Sequence, residues 1–381
     1  LNEDYTDEKS GGEFEGGYVM QPLKEKANNV LYLDFASLYP MLFIHANLFS
    51  YNCECCSQKE KWHGNELFQV KGFYCAKKQG KKEELIKTLF LKRKEYRQIK
   101  DNREFALKIV LNSTFGVSSR PSFKHLYSKY TASDCTFLAR QCIQYTIKKL
   151  NENGYNVVYA DTDSCFIELG NSLKEDCIKL TNNISKKISN SFPFPWEEFN
   201  FKLEEEIKYI QFFKDENNEL KKKTYLYINK NNKIVPKGLD IIKKDCSELS
   251  IYIYENFLKN QIIEKCDCLF DKDYINNLIK NTLEKNKLLL AKSFNIKDSE
   301  YKSDTSLYSL IRDLYGSGEI KLIKNYKIGA GKAIKYCSIE EAEKLNISDL
   351  NLEDVYKELS PFIKNYKKES YKKEQSLEKL F

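Results

Sequence analysis

The sequence predicts an α+β fold with antiparallel strands, on three observations. Hydrophobic runs of strand length recur and break at carboxylates or turn residues. A basic stretch with helical spacing lies between them. Beyond about residue 247 the chain becomes lysine-rich and mostly helical in pattern. At roughly 100–200 residues per domain, 381 residues predict two or three domains with sizeable cores.

The first 28 or so residues are polar and carry two glycine pairs, Gly11–Gly12 and Gly16–Gly17, which read as loop and turn. Val30-Leu31-Tyr32-Leu33-Asp34 then reads as a buried strand ending in an aspartate. From Lys81 to about Ile99, Leu85, Leu89 and Lys92–Arg93 recur at helical spacing. Asp101-Asn102 makes a turn, and a second helix runs from about Arg103 to Leu111. Two helices joined so tightly form an antiparallel hairpin.

A further helix spans Thr131 to Asn151 and stops at Asn153-Gly154. Asn156–Asp161 and Ser164–Glu168 form a strand hairpin with acidic residues at its tip. Strands return at Phe201–Phe213 and Thr224–Ile228, with Asn217-Asn218 in the turn. No internal repeat is visible, and the break in pattern near residue 246 is the expected domain boundary.

Hydrophobic residues make up 41% and aromatics 13%, which excludes a largely disordered chain. The most apolar twenty-residue window, Val30–Phe49, holds Asp34, Pro40 and His45 and so does not read as a membrane span. The twelve cysteines are scattered through a large chain, which suits a reducing interior better than a disulfide scaffold. The net charge of +7 suits a polyanionic partner, and equally a solvated lysine-rich surface. Starting at Leu1 rather than methionine, the sequence reads as a processed product, an excised piece or part of a longer polypeptide.

Two carboxylate clusters carry chemistry. Asp34 ends one strand, and Asp161-Thr162-Asp163 sits at a turn between two others. Alternate residues of an extended chain project to one side, so Asp161 and Asp163 are expected to share a face. Gathered carboxylates repel one another and favour divalent cations between them. Oxygen-rich ligation with open positions suits magnesium, and two such ions support phosphoryl transfer. Taken alone, Asp-Thr-Asp is more simply read as an ordinary hairpin turn.

The surroundings decide between these readings. Asp34-Phe35-Ala36-Ser37-Leu38-Tyr39-Pro40 resembles motif A of the family B DNA polymerases (DxxSLYP). Lys108 through Gly116 resembles motif B (KxxxNSxYG), and Tyr159-Ala160-Asp161-Thr162-Asp163-Ser164 resembles motif C (YGDTDS), all in the family's order. Glu15-Gly16-Gly17-Tyr18-Val19 with Pro22 is similar to the glycine-pair segment that enters the palm. Lys222-Lys223-Thr224-Tyr225 is similar to the KKRY motif, and Lys237-Gly238-Leu239 with Lys243-Lys244-Asp245 to the KG…RRD stretch. The likeness is close over residues 14–247.

The resemblance implies a right-hand polymerase fold: palm at 1–80 and 117–246, short helical-hairpin fingers at 81–116, and a helical thumb with a C-terminal tail at 247–381. It implies template-directed DNA synthesis from dNTPs on a primer–template. Asp34, Asp163, the Phe35 carbonyl and, more loosely, Asp161 would bind two magnesium ions. Ser37 and Leu38 would meet the triphosphate, with Tyr39 as steric gate against a 2′-hydroxyl. Arg93, Arg97, Lys108 and Asn112 would face the nucleotide, the last two four residues apart on one helical face. A solvated basic helix is the other reading of the two arginines. Gly116, Thr162, Lys222, Lys223, Tyr225, Lys237 and Gly238 would contact DNA, giving salt-dependent rather than sequence-specific affinity.

Departures from the family pattern are Met41 for serine, Phe115 for tyrosine, Ala160 for glycine, and lysines for both arginines of RRD; none removes a metal ligand. Motif A begins only 33 residues from the start, so the 3′→5′ exonuclease domain is expected to be removed, carried on a separate chain, or lacking. The short Asp34–Lys108 interval favours a nucleic-acid primer over protein priming. The expected setting is cytoplasm or nucleoid, or a host-cell compartment for a viral chain. A non-catalytic DNA-binding replisome subunit is the alternative function, opposed by the intact Asp34, Asp161, Asp163 and Lys108. A ribonucleotide-incorporating or primase-like transferase is another, opposed by Tyr39.

Three weaker signals remain. Cys53, Cys55, Cys56, His63 and Cys75 cluster between motif A and the fingers and offer zinc ligands, although C-x-C-C differs from the usual knuckle and buried reduced thiols are the plainer reading. Residues Glu374 to Phe381 resemble a degenerate sliding-clamp peptide, or else a frayed amphipathic tail. Gly329-Ala330-Gly331-Lys332 lacks the full phosphate-loop pattern and reads as a turn.

Overall fold

The computed structural model describes residues 15–51, 53–128, 130–215, 217–298, 307–325 and 336–366. The clamp-like tail and the Gly329–Lys332 segment lie outside these residues. The chain divides into two compact units, Leu1–Lys208 and Tyr209–Phe381, and the composition break near residue 246 falls inside the second.

In the first unit, β1 (Lys26–Phe35) runs into α1 (Leu38–Ala46). A small hairpin follows, β2 (Lys61–Gly64) with β3 (Gln69–Cys75). Then come α2 (Lys81–Gln98), α3 (Arg103–Ser118), α4 (Thr131–Glu152), β4 (Asn156–Asp161), β5 (Ser164–Glu168) and α5 (Lys174–Asn190). β6 (Phe201–Lys214) runs through the division between the units. The sheet order here is β4-β5-β1-β6, with β5 antiparallel to both β4 and β1.

α1 explains the apolar window of the sequence. All its residues except Tyr39 are buried, because the helix is covered by the core rather than amphipathic. Its one polar interior side chain, His45, is satisfied. Nδ1 donates to the Met41 carbonyl at 2.8 Å, and Nε2 accepts from the Trp196 N–H at 3.1 Å. Burial without an anionic partner lowers its pKa to about 4, so it stays neutral. No described helix is long and apolar enough to cross a membrane.

The β2–β3 hairpin, which hydrophobic periodicity does not reveal, is held on α4 by Gln141, which bonds both backbone groups of Gln69, and by one carboxylate. Buried Asp134 accepts from the N–H groups of Lys71 (3.0 Å) and Gly72 (2.8 Å) and from the Tyr74 hydroxyl (2.7 Å). α3 extends to Ser118, well past the expected end near Leu111. Ser113 and Thr114 donate back to the Val110 carbonyl, so the polar stretch continues the helix instead of ending it.

In the second unit the end of β6 joins β7 (Leu220–Asn229) and β8 (Ile234–Lys237). The core is formed by α6 (Glu248–Ile253), α7 (Lys259–Lys265) and α8 (Lys272–Lys285) with the later α11 (Glu353–Leu359). It contains Leu249, Ile253, Ile262, Ile275, Ile279 and Phe362. The mostly helical expectation for this region misses a three-stranded sheet, β9 (Ala291–Ile296), β10 (Gly318–Lys324) and β11 (Tyr336–Ser338), in the order β11-β10-β9. These strands are short, and β9 and β10 expose Lys292 and Lys321, which weakens the alternation that marks a strand. α9 (Leu307–Tyr315) packs on that sheet, and α10 (Ile339–Glu343) follows β11.

Candidate active site

Register fixes the acidic cluster. Ser164 at the start of β5 stands opposite Asp34 of β1 on one side and Asp161 of β4 on the other. Residues opposite one another in neighbouring strands project from the same face of a sheet, so Asp34 and Asp161 flank Ser164 there, roughly 5 Å per strand apart. Asp163 reaches the cluster differently from the expectation of an extended Asp-Thr-Asp. Thr162 and Asp163 form a two-residue hairpin turn, and Thr162 has φ 59°. Such turns need a left-handed residue where glycine is usual, so a threonine here stores strain of about 1–3 kcal/mol. The turn is tied to motif A, because the Phe35 N–H donates to the Asp163 carbonyl at 2.8 Å.

Asp34 bears the electrostatic consequence. Burial first, then the charges of Asp163 and Glu204, push its carboxyl up to about 8, while Lys108 pulls the other way. The site therefore demands positive charge. Lys108 of α3 is close enough for its charge to act on Asp34, and Glu204 on β6 is a fourth acid.

Ser37, at the N-cap of α1, is also left-handed, with φ 60°. The Leu38 and Tyr39 N–H groups start that helix, and such an end attracts anions. Arg93 of α2 reaches the same place: Nε donates to Glu104 Oε1 at 2.8 Å and a terminal nitrogen to Ser37 Oγ at 3.1 Å. The Tyr39 ring lies 4.8 Å from that of Phe115, so the two motif aromatics pack together. Burial, then nearby Cys135 and Asp163, raise the Tyr39 hydroxyl to about 12, against the opposing pull of Arg140. Arg97, Lys108, Asn112 and Gly116 are exposed on the fingers-like hairpin.

The glycine pair packs on the acidic turn. A Cβ on Gly17 would lie 2.8 Å from Thr162 Cγ2, and the Thr162 N–H donates to the Tyr18 carbonyl at 2.7 Å. Arg140 secures the segment by donating to the carbonyls of Glu15 (2.6 Å) and Gly16 (2.7 Å).

In the second unit Tyr225 pairs with Lys237, and Gly238 (φ +67°) lies so close to the Lys223 carbonyl that a Cβ would sit 2.1 Å from it. This brings Lys223, Tyr225, Lys237 and Gly238 together, with Lys222, Lys223 and Lys237 exposed.

The sulfurs of Cys53, Cys55, Cys56 and Cys75 all lie within 4.8 Å of one another. His63, expected with them, instead stacks on Phe73 with ring centroids 5.2 Å apart and is not in the group. Sequence reasoning also missed Glu204, Arg140 and Glu104. Glu204 becomes visible only through the β1–β6 pairing, and Arg140 and Glu104 lie outside any quoted motif.

The family model described as DNA polymerase family B matches residues 2–367. A DNA polymerase of Thermococcus gorgonarius is 26% identical over 342 residues, covering 85% of this chain and 41% of that protein. The DNA polymerase delta catalytic subunit of Plasmodium falciparum (isolate K1 / Thailand) is 28% identical over 333 residues, covering 78% and 30%. A family B DNA polymerase structure from Pyrobaculum calidifontis superposes with a TM-score of 0.54 at 18% identity, covering 92% of this chain and 46% of that one, and supports the fold. The chain thus spans less than half the length of each of these proteins.

Proposed function

The chain belongs to DNA polymerase family B, and from that premise we propose that it adds dNTPs to a primer 3′-hydroxyl, directed by a template strand, with release of pyrophosphate. The observation that carries this reading is Asp34, half-buried within reach of the charges of Asp163 and Glu204, with Lys108 acting on it in the opposite sense. Such an acidic centre suits divalent cations better than any neutral ligand.

In this reading residues 81–116 are the fingers, 1–80 and 117–246 the palm, and 247–381 the thumb and tail. Asp34 and Asp163, the Phe35 carbonyl and, more loosely, Asp161 hold magnesium. When bound there, two magnesium ions lower the pKa of the attacking hydroxyl and neutralise the leaving pyrophosphate. Ser37 and the first N–H groups of α1 receive triphosphate oxygens. Arg93, Arg97, Lys108 and Asn112 complete the anion-binding wall from the fingers, acting by preorganised charge on phosphate oxygens. Tyr39, backed by Phe115, fills the space a 2′-hydroxyl would need. Thr162 and Gly116 border the nascent pair, and Lys222, Lys223, Tyr225, Lys237 and Gly238 grip the duplex through its backbone.

The test is single-nucleotide primer extension with magnesium at low salt, wild type beside Asp163→Ala, with primer–template binding measured in parallel. Extension by the wild type alone, with binding by both, supports the assignment. Equal extension by both would refute the metal ligands. Binding without extension by either would assign the chain to a DNA-binding subunit or a piece that needs a further segment.

A further inference from the structure

We infer that Cys53, Cys55, Cys56 and Cys75 form a tetrathiolate site for one structural zinc ion at the base of the fingers-like hairpin. A tetrahedral site with Zn–S bonds of about 2.3 Å separates its sulfurs by about 3.8 Å. Here Cys53–Cys56 are 3.2 Å apart, Cys55–Cys75 3.3 Å and Cys56–Cys75 4.0 Å. These spacings exceed the roughly 2.05 Å of a disulfide. A cubane iron–sulfur cluster places irons and sulfides between its thiolates and would hold them farther apart.

The sequence spacing agrees once the right pair is chosen. Cys53 and Cys56 themselves make a C-x₂-C knuckle, with Cys55 as a third ligand inside it, and Cys75 arrives from the end of β3. Surrounding groups suit a doubly negative ZnS₄ centre. The backbone N–H dipoles of Lys77 and Lys78 favour negative charge on the Cys75 sulfur, and the Lys77 ammonium, ion-paired with Glu60, lies near Cys55 and Cys56.

The site also has a mechanical place. Buried Asn47, just past α1, donates to the carbonyls of Cys75 (2.8 Å) and Lys78 (3.0 Å) and accepts from the Gly80 N–H (2.9 Å). An ion at the four sulfurs therefore ties the 53–56 loop to the β3 end that leads directly into α2. This inference is independent of the polymerase reading, and its test reads metal rather than activity.

The experiment is elemental analysis of the protein purified without chelator under reducing conditions, with cobalt(II) exchanged for the native metal. The expected result is one zinc per chain after gel filtration. The cobalt form should show the intense thiolate-to-cobalt and visible d–d absorption of a tetrahedral sulfur site. Cys75→Ser should lose both, and His63→Ala should keep both. Should Cys75→Ser fail to fold, the wild-type cobalt spectrum decides alone. Zinc well below one per chain after dialysis against zinc, iron with acid-labile sulfide, or Cys53–Cys56 and Cys55–Cys75 disulfides trapped by rapid alkylation would each overturn it.

Discussion

Arg93 bridges two segments that sequence separates widely: its guanidinium holds the Ser37 hydroxyl at 3.1 Å while Glu104 on the neighbouring helix accepts from Nε at 2.8 Å. Glu104 thus orients a cation over the N-terminus of α1. Arg93→Ala is expected to raise the KM for dNTP about tenfold, the worth of one charge-assisted contact, with little change in thermal stability. Arg93→Lys should recover only part of this, since a point charge cannot span both partners. Steady-state kinetics with varied dNTP check it; an unchanged KM would remove Arg93 from the nucleotide site.

Asp34 is maintained against the stability of the fold. Because burial and two neighbouring acids oppose its charge, Asp34→Asn should raise metal-free stability at pH 8.5 by roughly 1–4 kcal/mol while abolishing incorporation. Magnesium should stabilise the wild type and not the variant. Urea unfolding with and without magnesium measures both effects, and a less stable Asp34→Asn protein would contradict the repulsion argument.

His45 supplies a pH dependence. Its folded-state pKa is lowered from 6.5 to about 4, so below pH 6.5 the unfolded chain takes up a proton that the folded one refuses. Folding therefore weakens as pH falls from about 6.5 to 4, by about 3 kcal/mol from this residue, and the term vanishes above 6.5. His45→Gln should be less stable at pH 7 yet lose less between pH 7 and 4 than the wild type. Parallel losses over that range would show that His45 is not held neutral.

Two glycines should respond oppositely to alanine. Gly238, left-handed and pressed on the Lys223 carbonyl, should cost about 2 kcal/mol or more. Gly116 sits within α3 with open space around its missing Cβ, so Gly116→Ala should gain about 0.5–1 kcal/mol. If Gly116 borders the nascent pair, the stabilised variant should still extend primers more slowly. Thermal melts and primer extension on both variants separate stability from function.

Much of the acidic centre was legible because strand hydrophobicity stops at Asp34 and Asp161, and a hairpin between two strands needs only local signals. The sequence pattern misjudged how Asp163 joins them: a left-handed Thr162 is a backbone fact that a Thr codon does not advertise. Glu204 stayed hidden because strand order is a long-range property. The β2–β3 hairpin was obscured by its length and by Asp134, an anchor supplied from another helix. The short strands β9 to β11, the first two bearing lysines, read as helix for want of clean alternation. The cysteine group was visible as composition, but only folding brings Cys75 to the knuckle and leaves His63 out.

The pairing of Asp34 with Ser164 joins residues 130 apart in sequence. Closing so large a loop must precede any reward from the contact, so this part of the sheet is slow to form compared with the hairpins around it. During synthesis, β1 emerges with its aspartate long before β5 exists to receive it. The apolar β1–α1 segment must then wait unpaired through the making of more than a hundred further residues, which exposes it to aggregation in the meantime. The acidic cluster is thus among the last features of the first unit to be born.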